Sequence, residues 1–281
     1  MNIRDWLQKA TLILCNSSTP KLDAQIILSF VLGKSRTWLC AFDEISINHK
    51  KMVVLEQLLM RRMHGEPIAY LIGKCEFWSL TLSVTRDTII PRCDTEILVE
   101  QALMYLHNKP LKVLDLGTGT GAIALAIASE RPKCKVVGVD FIESVIKNAQ
   151  NNAINLNITN VNFIVSYWFN NLPLNKFDLI VSNPPYVEPN SQYLNLGDII
   201  FEPISALVSK ENGLADLKII IQTAVHWLKY NGLILLEHGW RQSEAVHCIM
   251  QKHGYRNIHT VKDYAGNPRV TLGFAPKLDS C

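Results

Sequence analysis

The feature that most constrains the fold is an alternation of short apolar strands with helical segments from Lys112 to the end of the chain. Apolar runs bounded by turn residues predict strands, and the segments between them have helical periodicity. This order predicts a doubly wound α/β fold with a largely parallel seven-stranded sheet, and the last two strands predict an antiparallel hairpin at one edge. The predicted strands are 113–116, 135–140, 162–165, 177–182, 233–237, 257–261 and 270–274, and the predicted helices between them are 121–130, 142–155, 213–229 and 240–253.

The first part of the chain lacks this alternation and is predicted to be helical. Apolar residues at helical spacing predict helices over 22–32 and 49–64. We therefore expect a small helical bundle over 1–74, and it contains no catalytic motif. Arg61 and Arg62 are expected on a solvated helix face, where a partner contact is the alternative.

A two-residue alternation of apolar side chains over 77–84 then predicts a β-hairpin. Arg86-Asp87 is a possible turn, and Asp94 can cap a helix over 95–106. The predicted organisation is a helical domain over 1–74, a β-hairpin linker over 75–91 and the α/β domain over 92–281.

Composition excludes several classes of protein. The 281 residues are 48% hydrophobic and 19% charged, with a net charge of +3, which is typical of a globular chain and not of a disordered one. This charge does not indicate dense phosphate contacts, so we expect no direct nucleic-acid substrate. Seven scattered cysteines without a CxxC pair argue against a zinc ribbon or a disulfide framework, and no metal is implied. No apolar run reaches the ~18 residues of a membrane helix, so we expect a cytoplasmic protein that does not bind a membrane.

A glycine-rich loop follows the first strand of the α/β domain and predicts a nucleotide-like ligand. Asp140 ends the next strand, where a carboxylate can accept hydrogen bonds from both hydroxyls of a ribose. The glycines alone fit a nicotinamide enzyme and a methyltransferase equally well. Asp115 favours S-adenosylmethionine (SAM), because a carboxylate there can face a cationic amino acid and would repel a pyrophosphate. The loop residues are Gly117, Thr118, Gly119, Thr120 and Gly121.

The sequence Asn183-Pro184-Pro185-Tyr186 follows the strand over 177–182, at the sheet edge where ligands bind in open α/β folds. Prolines fix their own φ angles and have no N–H, so the backbone presents its carbonyl groups rigidly. An amide or an exocyclic amine becomes tetrahedral and positive at nitrogen as it attacks a methyl group. The Asn183 side-chain oxygen and the Pro184 carbonyl can accept its two hydrogens, and Tyr186 can stack on the planar acceptor.

These motifs together resemble the bacterial release-factor glutamine methyltransferases, the PrmC/HemK family, over nearly the whole chain. The Asn-Pro-Pro-Tyr motif alone is shared with adenine methyltransferases, but its combination with the helical domain is more specific. The segments that carry the resemblance are 65–73, 76–78, 90–96, the glycine loop with its helix, 181–186, 201–203, 235–240 and 269–273.

The resemblance implies transfer of a methyl group from SAM to the side-chain amide nitrogen (N5) of a glutamine. That glutamine belongs to the Gly-Gly-Gln motif of class 1 peptide chain release factors, which act in translation termination. The family's catalytic positions are Asn183, Pro184 and Tyr186, and its substrate-binding positions are Asn183, Pro184, Pro185 and Tyr186. Its SAM-binding positions are Gly117, Thr118, Gly119, Thr120, Gly121, Asp140, Trp168 and Asn183.

Two positions depart from the family pattern. Cys93 stands where the family has proline, which relaxes a rigid turn. Tyr167 stands where the family has an aspartate that accepts a hydrogen bond from the adenine amine. We expect its loss to weaken SAM binding by the ~1 kcal/mol of one net hydrogen bond, unless a backbone carbonyl replaces it.

Two alternatives to glutamine methylation remain open on the sequence alone. An N6-adenine methyltransferase uses the same Asn-Pro-Pro-Tyr chemistry, but it must also flip a base and grip phosphates. The second alternative is a non-catalytic SAM-binding module, which would not need the Asn-Pro-Pro-Tyr motif.

Three further residues have open or structural interpretations. Arg92 and Thr95 either reach the ligand or brace the following helix, and His238 is expected to be structural.

Overall fold

A computed structural model of the protein describes residues 1–276, and its backbone forms two compact units. One unit comprises Met1–Lys74 together with Tyr193–Phe201, so it is discontinuous in sequence. The other comprises Cys75–Gln192 and the described residues from Glu202 to 276.

The first unit is a bundle of five helices, in agreement with the helical bundle expected from the sequence. Asn2, Ser35 and Asn48 each accept a hydrogen bond from a backbone N–H of the first turn of the following helix, which satisfies one otherwise unpaired donor. Trp6 and Leu55 are among the side chains that fill its apolar core. The helices are α1 (Ile3–Ile13), α2 (Pro20–Leu32), α3 (Arg36–Ala41), α4 (His49–Met63) and α5 (Ile68–Ile72).

Arg62 lies in the interior of this unit, so the expectation of a solvated face was wrong for this residue. Its side chain is 12% exposed, and its Nε lies 2.7 Å from Oδ2 of Asp23. Its Nη1 lies 3.3 Å from Oδ1 of Asp198, which is 136 residues away in sequence. Arg61 remains partly exposed and pairs with Glu66 at 2.7 Å. Both acidic partners of Arg62 are distant in sequence, and no local pattern reveals them.

The second unit contains a seven-stranded sheet in the order β5-β4-β3-β6-β7-β9-β8, which confirms the predicted fold class. Strands β3 to β7 are parallel, and β9 is antiparallel to both of its neighbours. The strands are β3 (Lys112–Leu116), β4 (Lys135–Asp140), β5 (Val161–Val165), β6 (Phe177–Ser182), β7 (Leu228–Glu237), β8 (Arg256–Lys262) and β9 (Pro268–Phe274).

Helices cover both faces of the sheet, which explains why the central strands are continuous apolar runs. One apolar cluster packs α6 and α7 on one face, through residues such as Leu98 and Leu125. A second cluster packs α11 and α12 on the other face, through Ile220 and Val246. The helices are α6 (Glu96–Leu106), α7 (Ala122–Glu130), α8 (Glu143–Asn155), α9 (Ile204–Leu207), α10 (Lys210–Gly213), α11 (Ala215–Trp227) and α12 (Ser243–Lys252), and a 3₁₀ turn at Cys93–Thr95 precedes α6.

The predicted hairpin is present as β1 (Lys74–Phe77) and β2 (Leu80–Ser83), but its turn is not at Arg86-Asp87. Arg86 and Asp87 do form a turn, but it lies beyond β2 and is closed by a 3.2 Å hydrogen bond from the Thr88 N–H to the Thr85 carbonyl. The hairpin turn itself is formed by Trp78 and Ser79, with φ angles of 51° and 58°. Two-residue hairpin loops favour positive φ at both positions because this matches the twist of the strands. Such loops usually carry Asn-Gly, and Trp-Ser gives no such signal.

Candidate active site

A cavity of about 240 Å³ opens beside the carboxyl ends of β3, β4, β5 and β6. This is the sheet edge at which the sequence placed the ligand. Six of the predicted site residues line it, namely Gly117, Gly119, Asp140, Trp168, Asn183 and Pro185. Five other predicted residues are not among its lining side chains: Thr118, Thr120, Gly121, Pro184 and Tyr186.

The glycine loop serves two different purposes. Gly117 has a φ of 70°, and a Cβ there would lie 3.4 Å from the ring of Trp168, so the glycine lets this ring approach the backbone. Gly121 has a φ of 83°, and a Cβ there would lie 3.0 Å from the ring of Phe163 and 3.1 Å from Leu125. Gly121 therefore allows close packing of α7 on the sheet and does not face the cavity.

Asp115 does not face the cavity, which corrects the interpretation of this residue as a contact for a cationic amino acid. Its side chain is fully buried, at 0% exposure, and Oδ2 accepts a hydrogen bond of 2.6 Å from the Thr118 hydroxyl. Among residues 1–276, Oδ1 of Asp115 has no hydrogen-bond partner. Burial raises the pKa of this carboxyl to about 7. Asp115 thus braces the turn of the glycine loop from inside.

Asp140 lies at the end of β4 and lines the cavity. Its Oδ2 accepts from the backbone N–H of Gly119, and its Oδ1 accepts from that of Ile142, both at 3.2 Å. Burial raises the pKa of Asp140, and these backbone hydrogen bonds oppose that rise. Each carboxylate oxygen retains a further lone pair, so the group can still accept from a diol.

Three aromatic side chains form one wall of the cavity: Phe141, Tyr167 and Trp168. The ring of Tyr167 packs edge-on against Phe141 at 6.4 Å and lies 5.8 Å from Trp168. Tyr167 remains 48% exposed, whereas Trp168 is buried. The indole Nε1 of Trp168 is a buried donor without a partner among the described residues. This wall suits a flat, partly apolar ligand that carries a hydrogen-bond acceptor.

The end of β6 positions the Asn-Pro-Pro-Tyr segment. The buried hydroxyl of Ser182 donates to the carbonyl of Leu116 at 2.7 Å, which joins the ends of β6 and β3. Asn183 is thereby placed beside Gly117 at the cavity. Beyond the motif, Val187 exchanges backbone hydrogen bonds with Leu207 and Ser209, each of 2.9 Å, and these hold the chain as it leaves the site.

The side-chain amide of Asn183 has a fixed partner. Its Nδ2 donates to Oγ1 of Thr95 at 3.1 Å, so its Oδ1 is the atom left for a ligand. Among residues 1–276 no backbone donor is bonded to the carbonyl of Pro184. Thr95 therefore contacts Asn183 of the motif, in addition to preceding the helix over 96–106.

Tyr186 is anchored rather than free to move. Its hydroxyl donates to Oε1 of Glu237 at 3.1 Å, and its carbonyl accepts from Nε2 of Gln242 at 3.0 Å. Burial and the neighbouring carboxyl raise the pKa of Tyr186 above its usual range. The tyrosine is accordingly a neutral phenol at physiological pH.

His238 has the structural role expected of it. Its ring nitrogens contact the Gly239 carbonyl at 2.9 Å and the Thr271 hydroxyl at 2.7 Å, inside the sheet. Burial lowers the pKa of His238, so the imidazole is neutral. It does not line the cavity.

Sequence reasoning missed a second wall of the cavity, because its residues come from separate segments of the chain. The loop after the hairpin contributes Asp87, Thr88 and Ile89, and helices α9 and α11 contribute Ser205, Ala206 and Asp216. The resemblance at 90–96 and 201–203 was the available signal, since these segments adjoin the loop and α9. The structure links them through Arg92 and Glu202, whose side chains lie 2.5 Å apart.

Two kinds of feature are absent from residues 1–276. No group of three or more His, Cys, Asp or Glu side chains is arranged to hold a metal ion. No helix in this part of the chain has the length and apolar character needed to cross a membrane.

Comparisons with known proteins agree with this architecture. A methyltransferase domain model matches residues 107–267, and a PrmC N-terminal domain model matches residues 5–73. A crystal structure of a methyltransferase from Pyrococcus furiosus superposes with a TM-score of 0.54 at 18% identity, covering 79% of this chain and 99% of that one. At this identity the likeness shows the fold alone.

Close relatives cover the chain almost completely. The release factor glutamine methyltransferase of Salmonella typhimurium is 50% identical over 277 residues, which are 98% of this chain and 100% of the relative. The enzyme of the same name from Escherichia coli is 47% identical over 273 residues, which are 97% of this chain and 99% of the relative. With half of its residues shared over nearly its full length, this chain belongs to the release factor glutamine methyltransferase family.

Proposed function

We propose that this protein transfers a methyl group from SAM to the N5 amide nitrogen of the glutamine in the Gly-Gly-Gln motif of class 1 peptide chain release factors. The observation that carries the proposal is the hydrogen bond from Asn183 Nδ2 to Thr95. It turns the Asn183 oxygen toward the ligand, next to the rigid Pro184 carbonyl. Asn183 lines the cavity and the Pro184 carbonyl follows it directly in the chain, so two neighbouring acceptors are available to a primary amide with two N–H donors.

The cavity suits SAM in three respects. Asp140 offers a carboxylate to a ribose diol, and the aromatic wall with the unpartnered Trp168 Nε1 offers a flat surface and a donor to a purine. A Cβ added at Gly119 would meet no atom within 4 Å, so the loop backbone is open to a ligand at that position. We assign Gly117, Gly119, Asp140, Trp168 and Asn183 to SAM binding. Thr118, Thr120 and Gly121 then shape the loop rather than line the cavity.

When bound, SAM supplies the electrophilic methyl group. The residues of this chain act on the acceptor, whose amide nitrogen is a poor nucleophile because its lone pair is delocalised. Asn183 Oδ1 and the Pro184 carbonyl accept hydrogen bonds from that nitrogen and favour the positive charge that develops on it. Because Pro184 and Pro185 have fixed φ angles, these acceptors need no rearrangement during the reaction. As the N–C bond forms, the methyl–sulfur bond of SAM would break and leave a neutral thioether, and the extra proton on the nitrogen would then pass to solvent.

The release factor is the proposed partner, and the reaction would take place in the cytoplasm with other translation factors. We propose that the helical unit contributes to binding it, since this unit matches the PrmC N-terminal domain and supplies no residue to the cavity. The alternative of adenine methylation has less support, because relatives of about 50% identity over the full length are named for a protein substrate.

Mass spectrometry tests this proposal most directly. The purified protein is incubated with SAM and a recombinant class 1 release factor, and the factor is digested and sequenced. We expect a gain of one methyl group on the Gly-Gly-Gln glutamine, and none on a factor in which that glutamine is replaced by alanine. Absence of methylation, with SAM binding shown by calorimetry, would contradict the proposal. Transfer of labelled methyl to adenine-containing nucleic acid would then establish the alternative.

A further inference from the structure

A left-handed turn lies beside the Asn-Pro-Pro-Tyr segment, and the reaction described above does not account for it. Helix α10 is not right-handed throughout, because Glu211 has a φ of 54° and a ψ of 52°, and Asn212 has a φ of 56° and a ψ of 36°. Gly213 follows with a φ of 81°. Residues that carry a side chain adopt this conformation at a cost, and they keep it only where the surrounding structure holds them.

Gly213 brings this turn directly against the motif. A Cβ at Gly213 would come within 2.0 Å of the Tyr186 carbonyl oxygen and within 2.6 Å of Gln242 Nε2. No side chain can occupy so short a distance. The turn therefore approaches the backbone of the motif as closely as only glycine allows.

Gln242 joins the turn to the motif through both ends of its side-chain amide. Its Nε2 donates to the carbonyl of Tyr186 at 3.0 Å and to the carbonyl of Asn212 at 3.1 Å. Its Oε1 accepts from the backbone N–H of Gly239 at 2.8 Å. An amide nitrogen has two N–H groups, so the two carbonyls use both of them. The amide cannot be reversed, because its oxygen would then face two carbonyl oxygens and its nitrogen would face an N–H.

The chain that leads into the turn also forms part of the cavity wall. Val187, which follows Tyr186, exchanges backbone hydrogen bonds of 2.9 Å with Leu207 and Ser209. The wall residues next to this segment are Ser205, Ala206 and Asp216, and they line the same cavity as Asn183 and Pro185. Wall and motif are therefore joined twice, by the backbone of Val187 and by the side chain of Gln242.

We propose that Gln242 is a positioning residue that fixes the spacing between the Asn-Pro-Pro-Tyr backbone and the cavity wall formed by Ser205, Ala206 and Asp216. The inference rests on the proposed function, in which the acceptor glutamine enters between these two surfaces. Without Gln242 the Tyr186 carbonyl loses its donor, and the strained turn is free to relax away from the motif. The Pro184 carbonyl, two residues before Tyr186, then loses its fixed position. A displacement of about 1 Å is enough to slow a reaction by about 100-fold.

The test compares Gln242→Glu and Gln242→Met with wild type and with Gln251→Glu, a matched change at an exposed position on the same helix. Gln242→Glu keeps the acceptor for Gly239 and removes both donors, whereas Gln242→Met keeps the length of the side chain and removes all three hydrogen bonds. For both variants we expect kcat on a release factor to fall by about 10- to 100-fold, with KM for the factor and Kd for SAM within about threefold of wild type. Gln251→Glu should match wild type.

Gly213→Ala tests the same contact from the other side. The added Cβ would push the turn away from the Tyr186 carbonyl, so kcat should fall by a similar factor. Combined with Gln242→Met it should cost little more than either change alone, because both break one contact. A residue with a purely structural role would instead lower the thermal midpoint and the affinity for SAM together with kcat.

A spectroscopic readout follows the contact whether or not a release factor is methylated. Tyr186-Val187 is the only Tyr-Val pair in the sequence, so tyrosine labelled with ¹³C at its carbonyl and valine labelled with ¹⁵N give one NMR signal from this peptide bond. The Tyr186 carbonyl resonance should shift in Gln242→Glu and in Gln242→Met, because its hydrogen-bond donor is lost. It should keep its wild-type position in Gln251→Glu.

Two results would overturn the inference: an unchanged Tyr186 resonance in a folded Gln242 variant, or wild-type kcat in a variant whose resonance has shifted. If neither Gln242 variant folds, Gly213→Ala carries the same two measurements. Wild type that methylates no release factor would instead refute the proposed function, and the Tyr186 resonance would still decide whether Gln242 holds the motif.

Discussion

The guanidinium of Arg92 lies 2.5 Å from Oε2 of Glu202, which is 110 residues later in the sequence. The Glu202 side chain is fully buried, and its other oxygen accepts from the backbone N–H of Ile90 at 3.4 Å. This ion pair joins the loop that contributes Ile89 to the cavity and the segment that leads into α9, which contributes Ser205. Cys93, one of the two departures from the family pattern, is adjacent to it in the chain. The Arg92–Glu202 ion pair therefore stabilises this wall of the cavity. The turn beside it, with Cys93 in place of the family's proline, fixes the wall less rigidly than a proline would.

Replacing Arg92 by alanine should destabilise the α/β unit by about 2 kcal/mol, because the buried Glu202 carboxylate would lose its ion pair with this guanidinium. The figure is below that of a fully buried pair, since Arg92 is more than a third exposed and water screens it. Urea unfolding measures the change, with Lys147→Ala, at an exposed position on α8, as the control. Equal unfolding free energies for the two variants would show that Arg92 does not compensate Glu202.

Replacing Asn183 by alanine should reduce methyl transfer by at least ~100-fold, because the transition state loses one of its two acceptors. The fold should be retained, since within residues 1–276 the Asn183 side chain makes a single hydrogen bond, to Thr95. Turnover measured by mass spectrometry and the thermal midpoint check both points. Asn170→Ala, at an exposed position beyond β5, is the matched control. Normal turnover by Asn183→Ala would remove Asn183 from the reaction.

Asp140→Ala should weaken SAM binding by 10- to 100-fold, the ~1.5–3 kcal/mol of hydrogen bonds to a charged group. Because burial raises the pKa of Asp140, wild-type affinity should fall as the pH drops toward that pKa and the carboxylate becomes protonated. The variant should lack this part of the pH dependence. Calorimetry at several pH values tests both effects, with Glu143→Gln, exposed at the start of α8, as the control. A Kd equal to that of wild type would exclude Asp140 as a ribose ligand.

Tyr167→Asp should tighten SAM binding by about fivefold, the ~1 kcal/mol of one net hydrogen bond to the adenine amine. Tyr167 is half exposed, so the change leaves little empty space in the core. Tyr167→Phe is the control, because it keeps the ring contact with Phe141 and removes only the hydroxyl. If Tyr167→Asp binds SAM no better than wild type, the adenine amine has another acceptor.

The fully buried Asp115 should make the stability of the α/β unit depend on pH. Its pKa is about 7 in the folded protein and its ordinary value is 3.8, so between these values the folded state binds a proton that the unfolded state does not. The free energy of unfolding therefore decreases as pH rises through this window, by about 1.4 kcal/mol for each pH unit. Asp115→Asn removes the titration, so its stability relative to wild type should increase from pH 4 to pH 7. Parallel unfolding curves for the two proteins over this range would contradict the assignment.

The sheet could be predicted from the sequence because each strand is a local apolar run between turn residues. The sheet edge at which the cavity opens could be predicted from topology, and Gly117 and Asn183 line this cavity together, as expected. The direction in which individual side chains point could be predicted less well from the sequence. Asp115 and Gly121 belong to the predicted binding motif but point into the protein interior, because they brace the turn and admit α7.

Contacts between distant segments could not be predicted in the same way. Thr95 and Asn183 are 88 residues apart, and neither position carries a pattern that indicates the other. The same holds for Arg62, whose partners lie 39 and 136 residues away. Such pairs form only when tertiary packing brings the elements together, whereas strand and helix signals are read from neighbouring residues.

The inclusion of Tyr193–Phe201 in the helical unit has a consequence for synthesis of the protein on the ribosome. Residues 1–74 emerge first, but Asp198, which pairs with Arg62, and Phe201, whose ring lies against Gly65, are made more than 100 residues later. The helical unit can therefore begin to fold early and is complete only when most of the catalytic sheet has left the ribosome. A fragment that ends at Lys74 should be less stable than the same residues in the whole chain.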